Sequence, residues 1–187
     1  MGWLSLNDLK KVGFKSFGNN VLISDKASFH NTSNITIGSN VRIDDFCVIS
    51  AGSDGVIIGD FVHIAVYSSI IGKGAITIKD YCNISSRVSI YSSSDDYSGE
   101  FMTNPMIPAD LTNVHHQEVT LEKHCIVGSG SVILPGAKLD VGVAIGALSL
   151  IKGTCNQFTI YAGVPAKIIG LRKMNILELE KKINDRS

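Results

Sequence analysis

The segment Asp95-Asp96-Tyr97 concentrates groups that can exchange protons with a substrate. An ordinary aspartate has a pKa of about 3.9 and accepts a proton poorly near neutrality, whereas a histidine at about 6.5 is well suited. Asp96 could raise the pKa of Asp95, because adjacent carboxylates oppose each other's ionisation. His63 and the pair His115 and His116 are the other candidates. These residue types indicate acid–base chemistry, with Asp95 or His63 as the catalytic base.

The catalytic candidates belong to a chain with a period of six. Residues 121–156 read as six consecutive hexads, each opened by an aliphatic residue. This period fits neither a helix nor a simple alternating strand, but it fits a chain wound into a prism with one short strand per face. The opening residue of each hexad then points inward. The small residue four places later would fit near a corner, as at Ser131, Ala137, Val143, Ser149 and Cys155.

The repeat predicts a single domain, 1–187, with an all-β core. Coils are expected over 18–91 and 118–157, with slips of the pattern near Gly55 and Gly72 placed at corners. A loop insert, 92–117, interrupts them. A short amphipathic helix, 4–13, with Ser5 or Asn7 as its cap, is expected to cover one open end. The closing segment 158–187 ends in a C-terminal helix, because its apolar residues recur at helical spacing.

The composition excludes several classes of protein. The 17 basic residues balance the 17 acidic ones, so no nucleic-acid partner is expected. No apolar run approaches the roughly 20 residues of a membrane span, so no membrane insertion is expected. The N-terminus lacks the features of a secretory signal, and we expect a cytoplasmic protein. Cys47, Cys82, Cys125 and Cys155 lack the paired spacing of zinc ligands, which predicts buried thiols and no metal.

Three features together resemble one known family. These are the hexads, the insert that follows the coil ending at Ile90, and the closing Tyr161-Ala-Gly-Val-Pro-Ala-Lys. Over residues 18–172 the chain resembles the hexapeptide-repeat acyltransferases, in particular the galactoside, maltose and xenobiotic acetyltransferase branch and its relatives in polysaccharide gene clusters. The resemblance implies a left-handed parallel β-helix. It also implies a homotrimer that binds acetyl-CoA, the acetyl donor, in clefts between subunits.

The resemblance also implies where the donor binds. A low coil face would let the amides of pantetheine bond to exposed backbone groups, and the nucleotide end of CoA would lie beside the closing motif. The expected wall consists of small residues: Gly128, Ser129, Gly146, Ala147, Ser149, Ala162 and Gly163. The expected partners of the CoA phosphates are the cations Lys152, Lys167 and Arg172.

The chain departs from the family pattern at the general base. Many relatives carry a histidine where Asp95 stands in Ser94-Asp95-Asp96-Tyr97-Ser98. Three explanations stay open: a raised pKa at Asp95, another histidine entering the site, or an amine acceptor that needs little activation. In related galactoside enzymes an asparagine near the position of Tyr67 orients the acceptor. The expected acceptor-binding residues are therefore Tyr67, Asp96, Tyr97, His115 and His116.

We therefore predict an acetyl-CoA-dependent acetyltransferase that acts on an amine or hydroxyl of a sugar or nucleotide-linked sugar, in the biosynthesis of an O-antigen-like bacterial surface polysaccharide. Direct attack on the thioester is expected, because the repeat holds no Ser-His-Asp or Cys-His arrangement. One alternative is a zinc enzyme of the gamma carbonic anhydrase type, with His63, His115 or His116, and His124 as ligands. Another is a trimeric scaffold without activity.

Overall fold

Three parallel sheets form the faces of a prism. The structure is a computed structural model and describes residues 2–185. The first face contains the strands Ser16–Phe17, Ile35–Ile37, Val56–Ile58, Ile76–Ile78, Val119–Leu121, Lys138–Leu139 and Thr154–Cys155. The second contains Leu22–Ile23, Arg42–Ile43, His63–Ile64, Asn83–Ile84, Ile126–Val127, Ala144–Ile145, Thr159–Gly163 and Ala166–Leu171. The third contains Ser28–His30, Val48–Ala51, Ser69–Gly72, Ser89–Tyr91, Val132–Ile133 and Leu150–Ile151. The predicted left-handed parallel β-helix is confirmed, with about 7 turns.

The residues that open the hexads stack on one another inside the prism. Ile58 pairs with Ile78, and Ile78 with Leu121, in parallel register. All three are at most 1% exposed. Burying a side chain of this size stabilises the fold by roughly 1.5–3 kcal/mol. The prediction for the small residues near the corners is also confirmed, since these are buried: Ser131, Ala137, Val143, Ser149 and Cys155.

The corners between faces repeat one backbone conformation. We call the turns between the first and second faces the first corner, and the turns between the second and third faces the second corner. A left-handed residue recurs at each of them. On the first corner these include Phe61, Tyr81 and His124, with φ of 56°, 60° and 64°. On the second corner they include Phe46, Tyr67 and Arg87, with φ of 60°, 62° and 60°. Because successive coils superpose, such side chains stack along the prism.

The N-terminal helix and the insert interrupt or cover the coils. Helix α1 is Leu6–Val12; the Ser5 hydroxyl accepts a hydrogen bond from Asp8 N at 3.2 Å, and Gly13 ends the helix with φ 77°. The strands Ser93–Ser94 and His115–His116 pair antiparallel and close the base of the insert. Two short 3-10 helices are Thr32–Asn34 and Ala109–Leu111.

The C-terminal end is built from a hairpin and a helix. The strands Thr159–Gly163 and Ala166–Leu171 pair antiparallel at the end of the second face. Helix α2, Ile176–Asn184, then runs back to the first corner, where Glu180 contacts His124 at 2.8 Å. No helix within residues 2–185 has the length and apolar character needed to cross a membrane.

Candidate active site

A row of small residues runs along the second corner. Ser85, Gly128 and Gly146 stack one above another, because the N–H of Ser85 donates to Val127 O at 3.0 Å and that of Gly128 to Ile145 O at 2.8 Å. A Cβ added to Gly128 would lie 2.5 Å from Ala147 N, so close packing of the coils also requires this glycine. The row is a shallow groove that leads from Ser85 to the closing hairpin.

The groove offers backbone donors at regular intervals. The N–H groups of Ser86, Ser129 and Ala147 have no hydrogen-bond partner within residues 2–185. They recur once per coil, and coils are about 4.8 Å apart. Ser129 and Ala147 are exposed. This arrangement suits an extended ligand that carries several amide carbonyls, and pantetheine is such a ligand.

Ser149 supports the groove from inside. Its side chain is only 2% exposed; the hydroxyl donates to Gly146 O at 2.8 Å and accepts from Gly163 N at 3.1 Å. The expectation that Ser149 lines the groove is corrected accordingly. The hydroxyl fixes the small row relative to the hairpin, and Ala162 packs directly above Gly146.

The closing hairpin encloses a cavity of about 300 Å³ lined by Lys152, Tyr161, Pro165 and Lys167. Both lysines form no ion pair within the described part of the chain. A cavity with two uncompensated cations suits an anion such as a phosphate. It lies at the hairpin end of the small row, where the family resemblance implies the nucleotide end of CoA.

Arg172 does not join these lysines. Its guanidinium donates to His124 O at 2.7 Å and to Gly142 O at 3.0 Å, both on the first corner. Its side chain satisfies turn carbonyls at a different edge of the prism from the two lysines, and its contact with the CoA phosphates stays a prediction.

Asp95 lies in a second cavity, of about 360 Å³, at the base of the insert. Tyr91, Tyr97 and Leu134 are among its other lining residues. The Asp95 carboxylate is exposed and has no hydrogen-bond or ion-pair partner among residues 2–185. It is therefore available to accept a hydrogen bond or a proton from a substrate. Tyr97 is 92% exposed and equally available.

Asp96 has a different role from its neighbour. Its carboxylate accepts bonds from the hydroxyl and the N–H of Ser98, and from the Asn113 amide at 3.0 Å. These bonds from Ser98 hold the pKa of Asp96 below its ordinary value. The insert thus uses Asp96 to order its own turn, and the acceptor contact of Asp96 stays a prediction.

His115 and His116 also hold the insert in place. His116 Nδ1 lies 2.8 Å from the Ser93 hydroxyl, and His115 Nε2 lies 3.8 Å from the Asp96 carboxylate. Both histidines belong to the strand that closes the base of the insert. These contacts give both histidines a structural role near Asp95, and their predicted acceptor binding stays a prediction.

Both ring nitrogens of His63 are already engaged on the second face. Nε2 lies 2.9 Å from the Asp44 carboxylate, and Nδ1 lies 3.1 Å from Asn83 Oδ1. Asp44 also accepts from Arg42 at 2.7 Å. Asn83 belongs to the strand Asn83–Ile84, and Ser85 follows directly after that strand. His63 lies one coil below Ser85, and through Asn83 its network extends to the coil of Ser85, the lower end of the small row.

Tyr67 belongs to a stack at the second corner. Its ring stacks on Phe46 with centroids 5.0 Å apart, and the Arg87 guanidinium lies 5.9 Å from the Tyr67 centroid.

Ser85, Ser86 and Arg87 were not predicted as site residues. They hold the hexad positions that Gly128, Ser129 and Gly130 hold one coil later, and superposing these two hexads would have identified them.

The histidines required for a zinc site lie apart. His63 is on the second face, His115 and His116 are at the base of the insert, and His124 is buried at the first corner. Within residues 2–185 no three His, Cys, Asp or Glu side chains are grouped as metal ligands.

The cysteines are free and buried as predicted, and burial raises the pKa of Cys47 and of Cys155 to about 11.

The chain is similar to several known acyltransferases. It is 58% identical over 180 residues to a dTDP-4-amino-4,6-dideoxy-D-glucose acyltransferase of Escherichia coli, covering 96% of this chain and 94% of the relative. It is 33% identical over 154 residues to WbbJ, the putative lipopolysaccharide biosynthesis O-acetyl transferase of E. coli K12, covering 79% and 74%. No protein-family model matches the chain.

Solved structures give the same result. The N-acyltransferase AntD from Bacillus cereus, crystallised with one serine substituted and in complex with dTDP-4-amino-4,6-dideoxyglucose and coenzyme A, superposes with a TM-score of 0.95. It is 44% identical, covering 99% of this chain and 98% of AntD. A complex of AntD with dTDP and 3-hydroxybutyryl-CoA gives 0.91 at 42% identity, covering 98% and 97%.

The prism and these similarities define an enzyme that transfers an acyl group from acyl-CoA to a sugar. The chain belongs to the sugar acyltransferases of the hexapeptide-repeat family, as the sequence predicted.

Proposed function

We propose that the enzyme acylates the 4-amino group of a dTDP-4-amino-4,6-dideoxyhexose during the synthesis of a surface polysaccharide. The observation that carries this proposal is the 58% identity, over 96% of the chain, to the E. coli enzyme for dTDP-4-amino-4,6-dideoxy-D-glucose. An amine acceptor also explains why an aspartate, Asp95, can stand where many relatives have a histidine as general base. A neutral amine is already a good nucleophile, so a carboxylate that receives its proton is sufficient.

We assign Ser85 and Asp95 to the reacting centre. AntD has been crystallised with a serine or an aspartate substituted, and these two residues stand ten positions apart in that protein. Ser85 and Asp95 have the same separation here. Ser85 ends the donor groove, and Asp95 is the uncommitted carboxylate of the insert. Both placements fit a role in acyl transfer.

The reaction then proceeds by direct attack. The amine nitrogen attacks the thioester carbonyl, the carbonyl carbon becomes tetrahedral, and the CoA thiolate leaves as the amide forms. Ser85 supplies a hydroxyl beside the reacting atoms, and Asp95 accepts the proton that the nitrogen loses. The high pKa of buried Cys47 and Cys155 disfavours an acyl-enzyme on either thiol.

The pantetheine arm would follow the small row, with its carbonyls on the N–H groups of Ser129 and Ala147. The row from Ala162 down to Ser85 spans three coil steps, or roughly 14 Å at about 4.8 Å per step. The CoA phosphates would then lie with Lys152 and Lys167 in the cavity beneath the hairpin.

We infer a homotrimer with active sites between subunits. Ser85 and Asp95 belong to one coil, but the strand Ser89–Tyr91 separates them across the third face. A single chain therefore presents them at opposite ends of that face. A symmetric trimer that sets the second corner of one subunit against the insert of the next would bring them together. We place this trimer in the cytoplasm, as the sequence suggested.

The test compares acceptors and then removes the proposed base. Purified protein with acetyl-CoA should acylate dTDP-4-amino-4,6-dideoxyglucose, detected by mass spectrometry, and leave free hydroxyl sugars unchanged. Asp95→Asn should lower kcat at least about tenfold, with the KM for acetyl-CoA unchanged within about twofold. Asp110→Asn, an exposed aspartate of the same insert, is the control.

Two results would contradict the proposal. Acylation of hydroxyl sugars alone would exclude the amine acceptor. Full activity of Asp95→Asn would move the base elsewhere, and His63→Ala would be the next variant to measure.

A further inference from the structure

Three side chains form an open stack on the second corner: Phe46, Tyr67 and Arg87. We call them the open ladder. The Phe46 and Tyr67 rings are parallel within 16°, and they are 46% and 54% exposed. On the first corner, by contrast, helix α2 contacts Tyr81 and His124. Their exposed edges lie directly below the donor groove.

Arg87 is the uncompensated charge of the ladder. Its guanidinium makes no hydrogen bond or ion pair within the described residues and lies over the ring of Tyr67. The Tyr67 hydroxyl likewise has no hydrogen-bond partner there. Lys26, at the opposite end of the ladder, is paired with Asp45 at 3.3 Å. A stacked guanidinium keeps the N–H groups at its edge free, and their planar fork matches the oxygens of a phosphate.

The position of Arg87 selects between two sources of phosphate. The CoA phosphates belong at the hairpin end of the groove, three coils above Ser85. Arg87 follows Ser85 by two residues, so their Cα atoms are at most about 7 Å apart. In a nucleotide sugar acylated at its 4-amino group, one hexose ring separates the amine from the diphosphate. The distance from Ser85 to Arg87 is comparable with that separation.

We propose that Arg87 and the Tyr67 hydroxyl bind the diphosphate of the nucleotide-sugar acceptor, with Phe46 supporting the stack. The inference rests on the proposed function and adds to it the site of the nucleotide. In this arrangement the second corner holds both substrates. The donor occupies the small residues above Ser85, and the acceptor diphosphate occupies the open ladder below it.

Binding of dTDP alone, measured by calorimetry, tests the site without any chemistry. Arg87→Gln should raise the Kd for dTDP at least tenfold, and Arg87→Lys, which retains the charge without the fork, should raise it about threefold. The Kd for CoA should stay within twofold of wild type. Lys15→Gln, which removes an exposed charge elsewhere, should change neither value.

Tyr67 offers a graded pair of variants. Tyr67→Phe keeps the stack and removes the hydroxyl, so the Kd for dTDP should rise about threefold. Tyr67→Leu removes the ring as well, and we expect at least a tenfold rise. Leucine is tolerated in this backbone conformation, since Leu148 has φ 55° on the same corner. Circular dichroism and sedimentation should show unchanged folding and mass for both variants.

The outcomes separate this inference from the proposed function. If wild type acylates the dTDP-amino sugar while Arg87→Gln binds dTDP normally, the inference is wrong and the function stands. If wild type neither acylates that sugar nor binds dTDP, both are wrong. A higher Kd for CoA instead of dTDP would assign Arg87 to the donor. Variants that change only the oligomeric mass would make the ladder a subunit contact. Either result overturns the proposed site.

Discussion

Phe61, Tyr81 and His124 on the first corner stack in the same way as the open ladder on the second. Centroids are 5.0 Å apart in both, and every residue has a left-handed backbone. On the first corner the Tyr81 hydroxyl meets Asn184 at 3.1 Å, and Glu180 contacts His124. Helix α2 thus covers the first ladder.

The difference shows what the repeat fixes and what it leaves open. Coil geometry imposes the stack at both corners, because each turn repeats the conformation of the turn below. The surrounding chain then determines the use of each stack. The first ends at a buried histidine and is satisfied by its own chain, whereas the second ends at an uncompensated arginine beside the row of small residues. The first corner should therefore control stability, and the second should control binding.

A substitution of Arg172 tests whether the first corner controls stability, and it has the largest expected effect. Arg172→Met removes the donors to His124 O and Gly142 O, so the free energy of unfolding should fall by roughly 2–4 kcal/mol. The Kd for CoA should not change. Denaturant unfolding at one fixed protein concentration, together with calorimetry, measures both quantities.

Lys167→Met is the matched control for Arg172→Met, since it removes a cation from the hairpin cavity. It should weaken CoA binding and leave stability unchanged. If Arg172→Met instead weakens CoA binding at normal stability, Arg172 binds the donor and the first corner is not purely structural.

A bulky side chain in the groove should weaken CoA binding and leave the stability unchanged, which is the opposite of the result expected for Arg172→Met. Ala147 is exposed in the small row, and Ala147→Phe would place a ring over its N–H. We expect the Kd for acetyl-CoA to rise at least about tenfold, or 1.4 kcal/mol. Stability should change by less than about 0.5 kcal/mol, as for other surface substitutions. Ala147→Ser should bind normally, and normal binding by Ala147→Phe would exclude the groove as the donor site.

Arg172 and Ala147 also differ in how well their surroundings could be predicted from the sequence. The hexads predict the prism, because each inward residue is determined by its place within six. They also predict the row of small residues, but not Asp95, which lies in the insert and outside the repeat. They do not predict partners across coils, since Arg172 meets His124 after 48 residues.

Ser85 was not predicted for the same physical reason, because its neighbours across coils are distant in sequence. The insert separates Ser85 from Gly128 in sequence, although the two stack directly through the bond from Ser85 N to Val127 O. Only the folded coils show that Ser85 belongs to the row of small residues. Similarly, Asp95 and Asp96 are adjacent in sequence, but the bonds from Ser98 and Asn113 commit only Asp96.

The pH dependence of stability at the first corner provides a smaller effect. Burial raises the pKa of Asp80. The Asp60 N–H and the Lys123 ammonium together lower it by more than burial raises it, so the pKa of Asp80 lies below its ordinary value. A depressed pKa contributes stability above the unfolded value of about 3.9, and this is lost as the pH falls through the folded pKa. Asp80→Asn should therefore cost about 1 kcal/mol at pH 7. The difference from wild type should close below about pH 4, measured by urea unfolding across pH. A difference that is constant with pH would contradict the assignment.

The smallest expected effect concerns the lower end of the open ladder. Lys26 lies 5.7 Å from the Phe46 centroid, but Asp45 already pairs with it. An exposed pair of this kind contributes about 0–1 kcal/mol, and its cation is not free for a phosphate. Lys26→Gln should therefore change the Kd for dTDP less than twofold, measured by the same calorimetry as for Arg87→Gln. A loss as large as that of Arg87→Gln would mean that the phosphates extend along the whole ladder. The binding function would then belong to the entire second corner below Ser85, since its two terminal cations would contribute equally.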